Sequence, residues 1–303
     1  MTTPLVSIVM PTLNGAATLS RVLPAIKRQR VPFAFEIVAV DSGSTDGTVA
    51  LLHRFADSVV SIAAEDFDHG LTRNLGVERS RGALVVLMVQ DAEPASDGWL
   101  AALTAPLLRD PCVAGSFARQ VPRADASPQT RHYLSLWAAA SDSPRASAIS
   151  DAAEFDGLDP MRRFDRCVFD NVCACIRRSV WSRRPFRTAP IAEDLAWAKD
   201  VLLDGHRLVF APDAEVIHSH DRSASYELAR TFVLHRRLYE LFELRTIPSL
   251  NCLARAIASS LRLHVRYERS GRSLALAFAW PLGQYLGGRA AVRGWKTNRV
   301  KGV

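Results

Sequence analysis

The residues best suited to chemistry are two carboxylates that directly follow an apolar run. Residues 84–89 are apolar, and they are followed by Gln90, Asp91 and Glu93 before Pro94. A run this short, apolar on both faces, is typical of a strand inside a covered parallel sheet. In open α/β sheets, ligands bind at the carboxyl ends of the strands, and carboxylate oxygens suit a hard divalent cation. The pattern indicates a metal site, with a solvated and capped turn as the alternative.

A second set of candidate residues lies later in the chain. Glu193 and Asp194 open a helical run, where acidic residues are ordinary capping chemistry but could also supply a general base facing the strand ends. His218 and His220 close a strand-like run, and alternation places both on one face. One histidine could complete the coordination of a metal held by Asp91, whereas a lone histidine is more often structural.

Two further positions suit a nucleotide. Asp41 ends a second apolar run beside small hydroxyl residues and two glycines, where a carboxylate can accept hydrogen bonds from a nucleobase or a ribose. Arg73 falls in the first turns of a helix, and its planar fork of donors suits phosphate. The alternatives are a capping turn for Asp41 and a surface ion pair for Arg73. No G-x-G-x-x-G follows the first strand and no P-loop motif is present, which argues against both of those nucleotide sites.

The order of the predicted elements places these residues in one sheet. Apolar strands alternate with helical periodicity at the start of the chain, in the order 6–10, 16–28, 35–40, 49–55 and 59–62. Such a βαβαβ opening implies a parallel sheet with right-handed crossovers. Further strands are predicted at 113–119 and 169–176. Between them, 121–166 is rich in Pro, Ser, Ala, Arg and Asp, which is typical of a long, partly mobile loop that carries specificity or a lid.

Charge divides the chain into two predicted parts. Residues 224–303 carry 14 Lys and Arg against 4 Asp and Glu, whereas residues 1–223 carry 24 against 27. We expect a catalytic domain over 1–223 and a basic amphipathic helical region over 224–303. Such helices with aromatic anchors suit the surface of an anionic bilayer; the alternative is a helical cap on the α/β body. Nucleic acid is not an expected partner, because no binding motif accompanies the charge.

Composition indicates a cytoplasmic protein. The five cysteines form no C-x-x-C pair, and an odd count without a framework suggests reduced thiols. The N-terminus lacks the basic and apolar regions of a signal peptide. No uninterrupted apolar stretch reaches about 18 residues, so no spanning helix is predicted.

Four motifs together resemble those of the family 2 inverting glycosyltransferases with the GT-A fold. They cover about residues 5–222 in the expected order, and they are 7–14 (SIVMPTLN), 40–48 (VDSGSTDGT), 90–93 (QDAE) and 193–194 (ED). The combination of 67–70 (FDHG) and 72–76 (TRNLG) with 90–92 (QDA) is similar to the bacterial rhamnosyltransferase branch.

The resemblance implies a fold and a role for individual residues. The fold is a Rossmann-like, mostly parallel central sheet flanked by helices, followed by the basic helical region. Asp194 is expected to be the general base, and Mg²⁺ or Mn²⁺ is expected at Asp91, Glu93 and His220. Asp91 would take the metal-binding position of the family's D-x-D motif, and Gln90 departs from the commoner pattern. The donor is expected around seven residues: Pro11, Thr12, Asn14, Asp41, Ser42, Arg73 and Gln90.

The resemblance also implies a reaction. A metal ion stabilises the charge on a nucleotide diphosphate leaving group, and a carboxylate takes the proton of the acceptor hydroxyl. The expected donor is dTDP-rhamnose and the expected acceptor a glycan or a lipid-linked sugar, at the inner face of the cell membrane. The alternatives are a UDP- or GDP-sugar transferase of the same fold, or an inactive sugar-nucleotide-binding or membrane scaffold protein.

Overall fold

The strand that carries the first motif lies inside one large sheet. The computed structural model describes residues 3–294, whose strands share a single sheet in the order β3-β2-β1-β4-β8-β6-β9-β5, with β7 paired to β9. The strands are β1 Val6–Thr12, β2 Phe35–Asp41, β3 Ser58–Ser61, β4 Leu84–Met88, β5 Glu93–Pro94, β6 Val113–Val121, β7 Arg145–Ser147, β8 Cys173–Arg177 and β9 Arg207–Ile217.

Helices cover both faces of this sheet and extend beyond it. They are α1 Ala16–Lys27, α2 Thr48–Phe55, α3 His69–Glu78, α4 Trp99–Arg109, α5 Pro128–Ser135, α6 Ala152–Gly157, α7 Pro160–Arg166, α8 Arg178–Trp181, α9 Glu193–Leu203, α10 Ala224–Phe242, α11 Leu250–Tyr267 and α12 Gly271–Val292. None of the helices formed by residues 3–294 has both the length and the apolarity that crossing a membrane requires.

The central strands are apolar throughout because both of their faces are covered. Val86 packs in the cluster beneath α1 and α4, whereas its neighbour Leu87 packs in the cluster beneath α3 and α9. β1 runs parallel to β2 and to β4, and Val9 pairs with both Val38 and Leu87. The parallel βαβαβ opening and the α/β fold class are therefore confirmed.

The second half of the sheet is mixed. β8 runs antiparallel between β4 and β6, and Cys173, at the start of β8, pairs with Met88, at the end of β4. The residues that precede β8 therefore lie at the same edge of the sheet as the residues that follow β4. β9 is one strand despite Pro212, because a register shift against β6 accommodates the proline.

The segment 121–166 is more ordered than its composition predicts. It forms three α-helices, a short 3-10 helix at Ala138–Ala140 and the short strand β7. Some of its Ser, Asp and Pro residues begin these helices: the side chains of Ser127, Asp151 and Asp159 accept hydrogen bonds from backbone N–H groups of α5, α6 and α7. Pro128 and Pro160 occupy the first helical position, where a missing N–H costs nothing.

The basic helical region packs against itself and against the body. A Cβ added to Gly287 of α12 would lie 2.3 Å from the carbonyl oxygen of Phe232 in α10, so the two helices approach at backbone distance. Leu238 and Phe242 of α10 belong to the same apolar cluster as Trp197 of α9. The division at residue 223 stays a prediction, and residues 295–303 of the basic region lie outside the described residues.

Candidate functional site

A cavity of about 720 Å³ lies at the carboxyl edge of β1 and β4. Its volume is that of a typical small-molecule site. Of the predicted site residues, eight line it: Pro11, Thr12, Ser42, Arg73, Gln90, Asp91, Asp194 and His220. Asn14, Asp41 and Glu93 are not in its wall, and each makes contacts elsewhere.

Three side chains at one end of the cavity form a candidate metal centre. Asp91, His218 and His220 offer ligand atoms that all lie within 4.8 Å of one another. His220 Nε2 is 3.2 Å from Asp91 Oδ2 and 3.0 Å from His218 Nε2. Ligand atoms about 2.1 Å from an ion and at right angles around it are about 3 Å apart. The donor set therefore fits a single divalent cation.

The imidazole of His218 is held in the form that binds metal. Its Nδ1 is 2.9 Å from Gln120 Oε1, and Gln120 Nε2 donates to Asp170 Oδ2 at 2.6 Å. Because that carboxylate only accepts, the amide oxygen of Gln120 faces His218, so Nδ1 carries the hydrogen and Nε2 is free to ligate. Burial lowers the pKa of His218 to about 4 although Asp91 opposes the shift, and the ring is neutral at pH 7.

Strand pairing brings the two parts of the metal centre together. Glu93 of β5 pairs with Ile217 of β9. Asp91, just before β5, therefore lies near the end of β9, which His218 and His220 follow. Glu93 itself, predicted as a ligand, lies on β5, and its carboxylate is 3.2 Å from Arg21 Nε. The ion pair with Arg21 does not favour Glu93 as a ligand, whereas His218 offers a ligand atom beside those of Asp91 and His220. The H-x-H spacing was the sequence signal for His218, but alternation could not show that both histidines face Asp91.

The other acidic pair lies at the start of α9. Arg73 Nη1 donates to Glu193 Oε1 at 2.8 Å and to the carbonyl of His69 at 2.8 Å. The side chains of Arg73 and Glu193 are only 5% and 7% exposed. Burial alone would raise the pKa of Glu193, but the Arg73 guanidinium lowers it, so this carboxylate stays ionised. Arg73 lines the cavity, while its contact with Glu193 holds it to α9; its contact with a diphosphate stays a prediction.

Asp194 has the opposite environment from its neighbour. Its carboxylate accepts hydrogen bonds from the backbone N–H groups of Asn171 at 3.2 Å and Leu195 at 2.8 Å. Burial, the charge of Glu193 and then the charge of Asp170 raise the pKa of Asp194 well above its ordinary value. Two adjacent acids whose environments separate their pKa values are the usual arrangement of an acid–base site. Asp194 therefore has the properties of a general base.

The predicted donor residues at the ends of β1 and β2 mostly hold a loop in place. Asp41 is buried and accepts from Thr12 Oγ1 at 2.9 Å and Ser44 Oγ at 2.6 Å. Asn14 has a positive φ of 46° and accepts from the backbone N–H of Thr45 at 2.8 Å. Ser42 donates to the carbonyl of Thr12 at 3.0 Å. Together they fix the loop that borders the cavity; direct contact of Asp41 with a nucleotide stays a prediction.

Gln90 joins the ends of β1 and β4. Its Oε1 accepts from the N–H of Leu13 and its Nε2 donates to the carbonyl of Leu13, both at 2.9 Å. A side-chain amide carries both an acceptor oxygen and a donor nitrogen, so Gln90 can bind the N–H and the C=O of Leu13 at the same time. A Cβ on Gly15 would lie 2.4 Å from Gln90 Oε1, so the glycine leaves room for this contact. The departure from the commoner motif therefore has a structural reason.

Three arginines stand around the candidate metal centre. Arg123 donates to the carbonyl of Asp91 at 2.5 Å, and the guanidinium of Arg222 lies 4.5 Å from the ring centroid of Tyr226. Burial lowers the pKa of His220, Asp91 raises it, and the charges of Arg222, Arg123 and Arg230 lower it further. Sequence reasoning did not single out these arginines. Their positive charge suits an anionic ligand such as a diphosphate.

Comparisons with known proteins identify the family of the chain. Residues 7–182 match the family model for glycosyl transferase family 2. The chain is 31% identical over 232 residues to the O-antigen chain rhamnosyltransferase RfbN of Salmonella typhimurium, covering 75% of this chain and 70% of that protein. It is 27% identical over 234 residues to the O-antigen chain rhamnosyltransferase WbaN of Salmonella anatum, covering 76% and 70%.

Solved structures share the fold. The mannosyltransferase PcManGT from Pyrobaculum calidifontis, in complex with GDP-Man and Mn²⁺, superposes with a TM-score of 0.54 at 20% identity, over 98% of this chain and 77% of that one. The glucosyl-3-phosphoglycerate synthase of Mycobacterium tuberculosis, with Mn²⁺ and UDP, gives 0.55 at 19% identity over 80% and 81%. At these identities the likeness concerns the fold alone. The motifs, the family match and the GT-A architecture agree, and the chain belongs to glycosyltransferase family 2 and is a glycosyltransferase.

Proposed function

We propose that the protein transfers an L-rhamnosyl group from dTDP-rhamnose to a hydroxyl of a glycan or lipid-linked acceptor, with inversion at the anomeric carbon. The observation that carries the proposal is that one cavity is lined both by a candidate base, Asp194, and by a candidate metal centre, Asp91 with the two histidines. The choice of rhamnose is supported by RfbN and WbaN, which are named as rhamnosyltransferases.

The reaction is a direct displacement. Asp194 accepts the proton of the acceptor hydroxyl as its oxygen bonds to the anomeric carbon, and the bond from that carbon to the diphosphate oxygen breaks. Arg123, Arg222 and Arg230 face the charge that develops on the leaving group. A divalent ion held by Asp91 and the two histidines would supply further stabilisation of that charge. We propose Mn²⁺ rather than Mg²⁺, because Mg²⁺ prefers oxygen ligands and two of the three candidate ligands are imidazole nitrogens.

Thermal unfolding with a panel of nucleotide sugars tests the donor. A ligand at 100 times its Kd stabilises the folded state by about 2.7 kcal/mol. We expect dTDP-rhamnose with Mn²⁺ to raise the Tm more than dTDP alone, and more than UDP- or GDP-sugars. A UDP- or GDP-sugar that raises the Tm most would contradict the proposed donor. Mass analysis of a matching acceptor incubated with the same donor would then report the transfer.

We also propose that the protein binds the inner face of the cell membrane as a peripheral protein. α11 and α12 expose apolar side chains, including Leu250 at 65% and Phe278 at 41%. Exposed arginines accompany them on the same two helices or directly after them: Arg255, Arg262, Arg266, Arg269, Arg289 and Arg293. Apolar side chains beside exposed arginines match the boundary of an anionic bilayer.

Vesicle co-sedimentation tests the membrane surface. Each arginine near an anionic surface contributes about 1 kcal/mol, so reversing the charges at Arg262 and Arg266 should weaken binding to phosphatidylserine vesicles by at least about tenfold. Neutral phosphatidylcholine vesicles should bind weakly in every case. Arg109→Glu on α4 is the matched control and should bind as the wild type does. Equal binding by the double variant and the control would show that α11 is not the docking helix.

A further inference from the structure

The cavity has a second wall that the strand ends do not supply. α10 contributes Tyr226, Glu227, Arg230 and Leu234, and α5 contributes Thr130, Tyr133 and Leu134, with Trp137 just after its end. Both sets have the spacing of one helical face. Trp280 of α12 lies in the same wall. This wall and Asp194 border the same space, so a ligand on it has access to the base.

The centre of the second wall is an aromatic pair with fixed polar edges. The ring centroids of Tyr133 and Trp280 are 4.0 Å apart, and the ring planes meet at 62°. Trp280 Nε1 donates to Glu227 Oε2 at 3.1 Å, and the Tyr133 hydroxyl is 3.3 Å from Ser260 Oγ. Hydrogen bonds therefore orient both rings. The rings remain half-buried and line the cavity rather than a closed core.

This wall matches one class of ligand. A pyranose ring has an apolar face of C–H groups and a rim of hydroxyls, and it requires aromatic surface beside a few polar groups. The aromatic pair and Glu227 supply that combination. A lipid chain would require a continuous apolar wall, which Glu227 and Arg230 interrupt. The partners that we propose for the diphosphate, Arg123 and the candidate metal centre, are different side chains from the aromatic pair and Glu227.

We propose that Tyr133, Trp280 and Glu227 form the acceptor subsite, in which a pyranose ring of the acceptor glycan lies against the aromatic pair and gives a hydroxyl hydrogen bond to Glu227. This assignment rests on the proposed transferase function. It gives the basic helical region a role in recognising the acceptor sugar, in addition to any contact with a membrane.

Binding of simple glycosides tests the subsite without requiring turnover. The probes are the methyl glycosides of L-rhamnose, D-mannose and D-galactose, measured by saturation-transfer NMR on the full chain without nucleotide. Trp280→Ala should weaken binding by about tenfold, in line with the energy of aromatic contacts. Glu227→Gln keeps an oxygen that can accept from Trp280 but removes the charge, and it should weaken binding severalfold. Phe278→Ala, an exposed position on the same helix, is the matched control.

The outcomes separate this proposal from the proposed function. Weaker glycoside binding in both variants, with dTDP and Mn²⁺ affinity unchanged, supports the subsite. Wild-type affinity in both variants overturns it, and so does a wild-type protein that binds dTDP but none of the three glycosides. If the wild-type protein does not bind dTDP, the proposed function is contradicted. The subsite is judged separately, because glycoside binding is measured without nucleotide.

Discussion

Replacing Asp194 by asparagine is expected to lower kcat by about 10²–10⁴-fold, the range that a general base contributes. The amide keeps the shape of the side chain and can accept from the N–H of Leu195, but it cannot take a proton. Donor affinity should stay within about threefold of the wild type, because the donor partners lie elsewhere in the cavity. Asp204→Asn, at the other end of α9, is the control and should retain activity. A kcat within tenfold of the wild type for Asp194→Asn would exclude this residue as the base.

Asp194→Asn is expected to stabilise the fold although it lowers activity. The pKa of Asp194 is raised by burial, then by Glu193 and Asp170, so its contribution to stability is complete below the unfolded pKa and is lost as the pH rises through the folded pKa. At pH 7 the Asp194 carboxyl group therefore destabilises the folded state relative to the unfolded chain. We expect Asp194→Asn to raise the Tm by about 2–4 °C at pH 7, with a smaller difference near pH 4. The activity of the wild type should fall as the pH drops through the raised pKa.

Replacing Asp91 by asparagine is expected to remove metal binding. Loss of a residue that only hydrogen-bonds to a metal ligand lowers metal affinity by about 10–100-fold. Loss of a charged ligand itself should therefore lower the affinity for Mn²⁺ by more than about 100-fold. Titration calorimetry of Mn²⁺ in the presence of dTDP measures this affinity, and turnover should fall in parallel. His218→Ala should behave in the same way, because its Nε2 belongs to the same group.

Glu93→Gln is the informative comparison for that experiment. Because Glu93 pairs with Arg21, its substitution should leave Mn²⁺ affinity within about threefold of the wild type, as expected of a surface ion pair. If Glu93→Gln weakens Mn²⁺ as strongly as Asp91→Asn does, the ligand set is Asp91 with Glu93 and the assignment of His218 is wrong.

The sequence was most informative where strand ends converge. Asp91 and Asp194 could be selected as candidates because each carboxylate stands where a strand or a helix meets the ligand-binding edge of the sheet. A capped turn would explain either carboxylate alone but not the motifs that accompany it. The pairing of Arg73 with Glu193 could not be predicted, because the two residues are 120 positions apart. The direction of β8 could not be predicted either, since it depends on the path of the connection through 121–166.

The basic helical region shows a different limit. The apolar tract of α12 suggested a membrane surface, but its buried side faces α10, and Gly287 allows the close approach. Helical periodicity reveals how much of a helix is apolar, but not which part of the apolar surface meets another helix and which part faces outward. Packing against α10 therefore accounts for the buried face of α12, and the membrane surface stays a proposal for its exposed apolar side chains.

The reversal of β8 and the return of β9 have a consequence for folding during synthesis. β1 to β4 are contiguous in the chain and pair through local crossovers, so they can assemble early. The contact of Asp91 with His218 and His220, however, requires residues that are synthesised more than a hundred positions later. Contacts between residues so distant in the sequence form slowly. A nascent chain that ends before residue 218 has the loop that borders the cavity but lacks the histidines of the candidate metal centre. The candidate metal centre is therefore complete only after residue 220 has been made, and the helices α10 and α12 of the wall that we assign to the acceptor follow it.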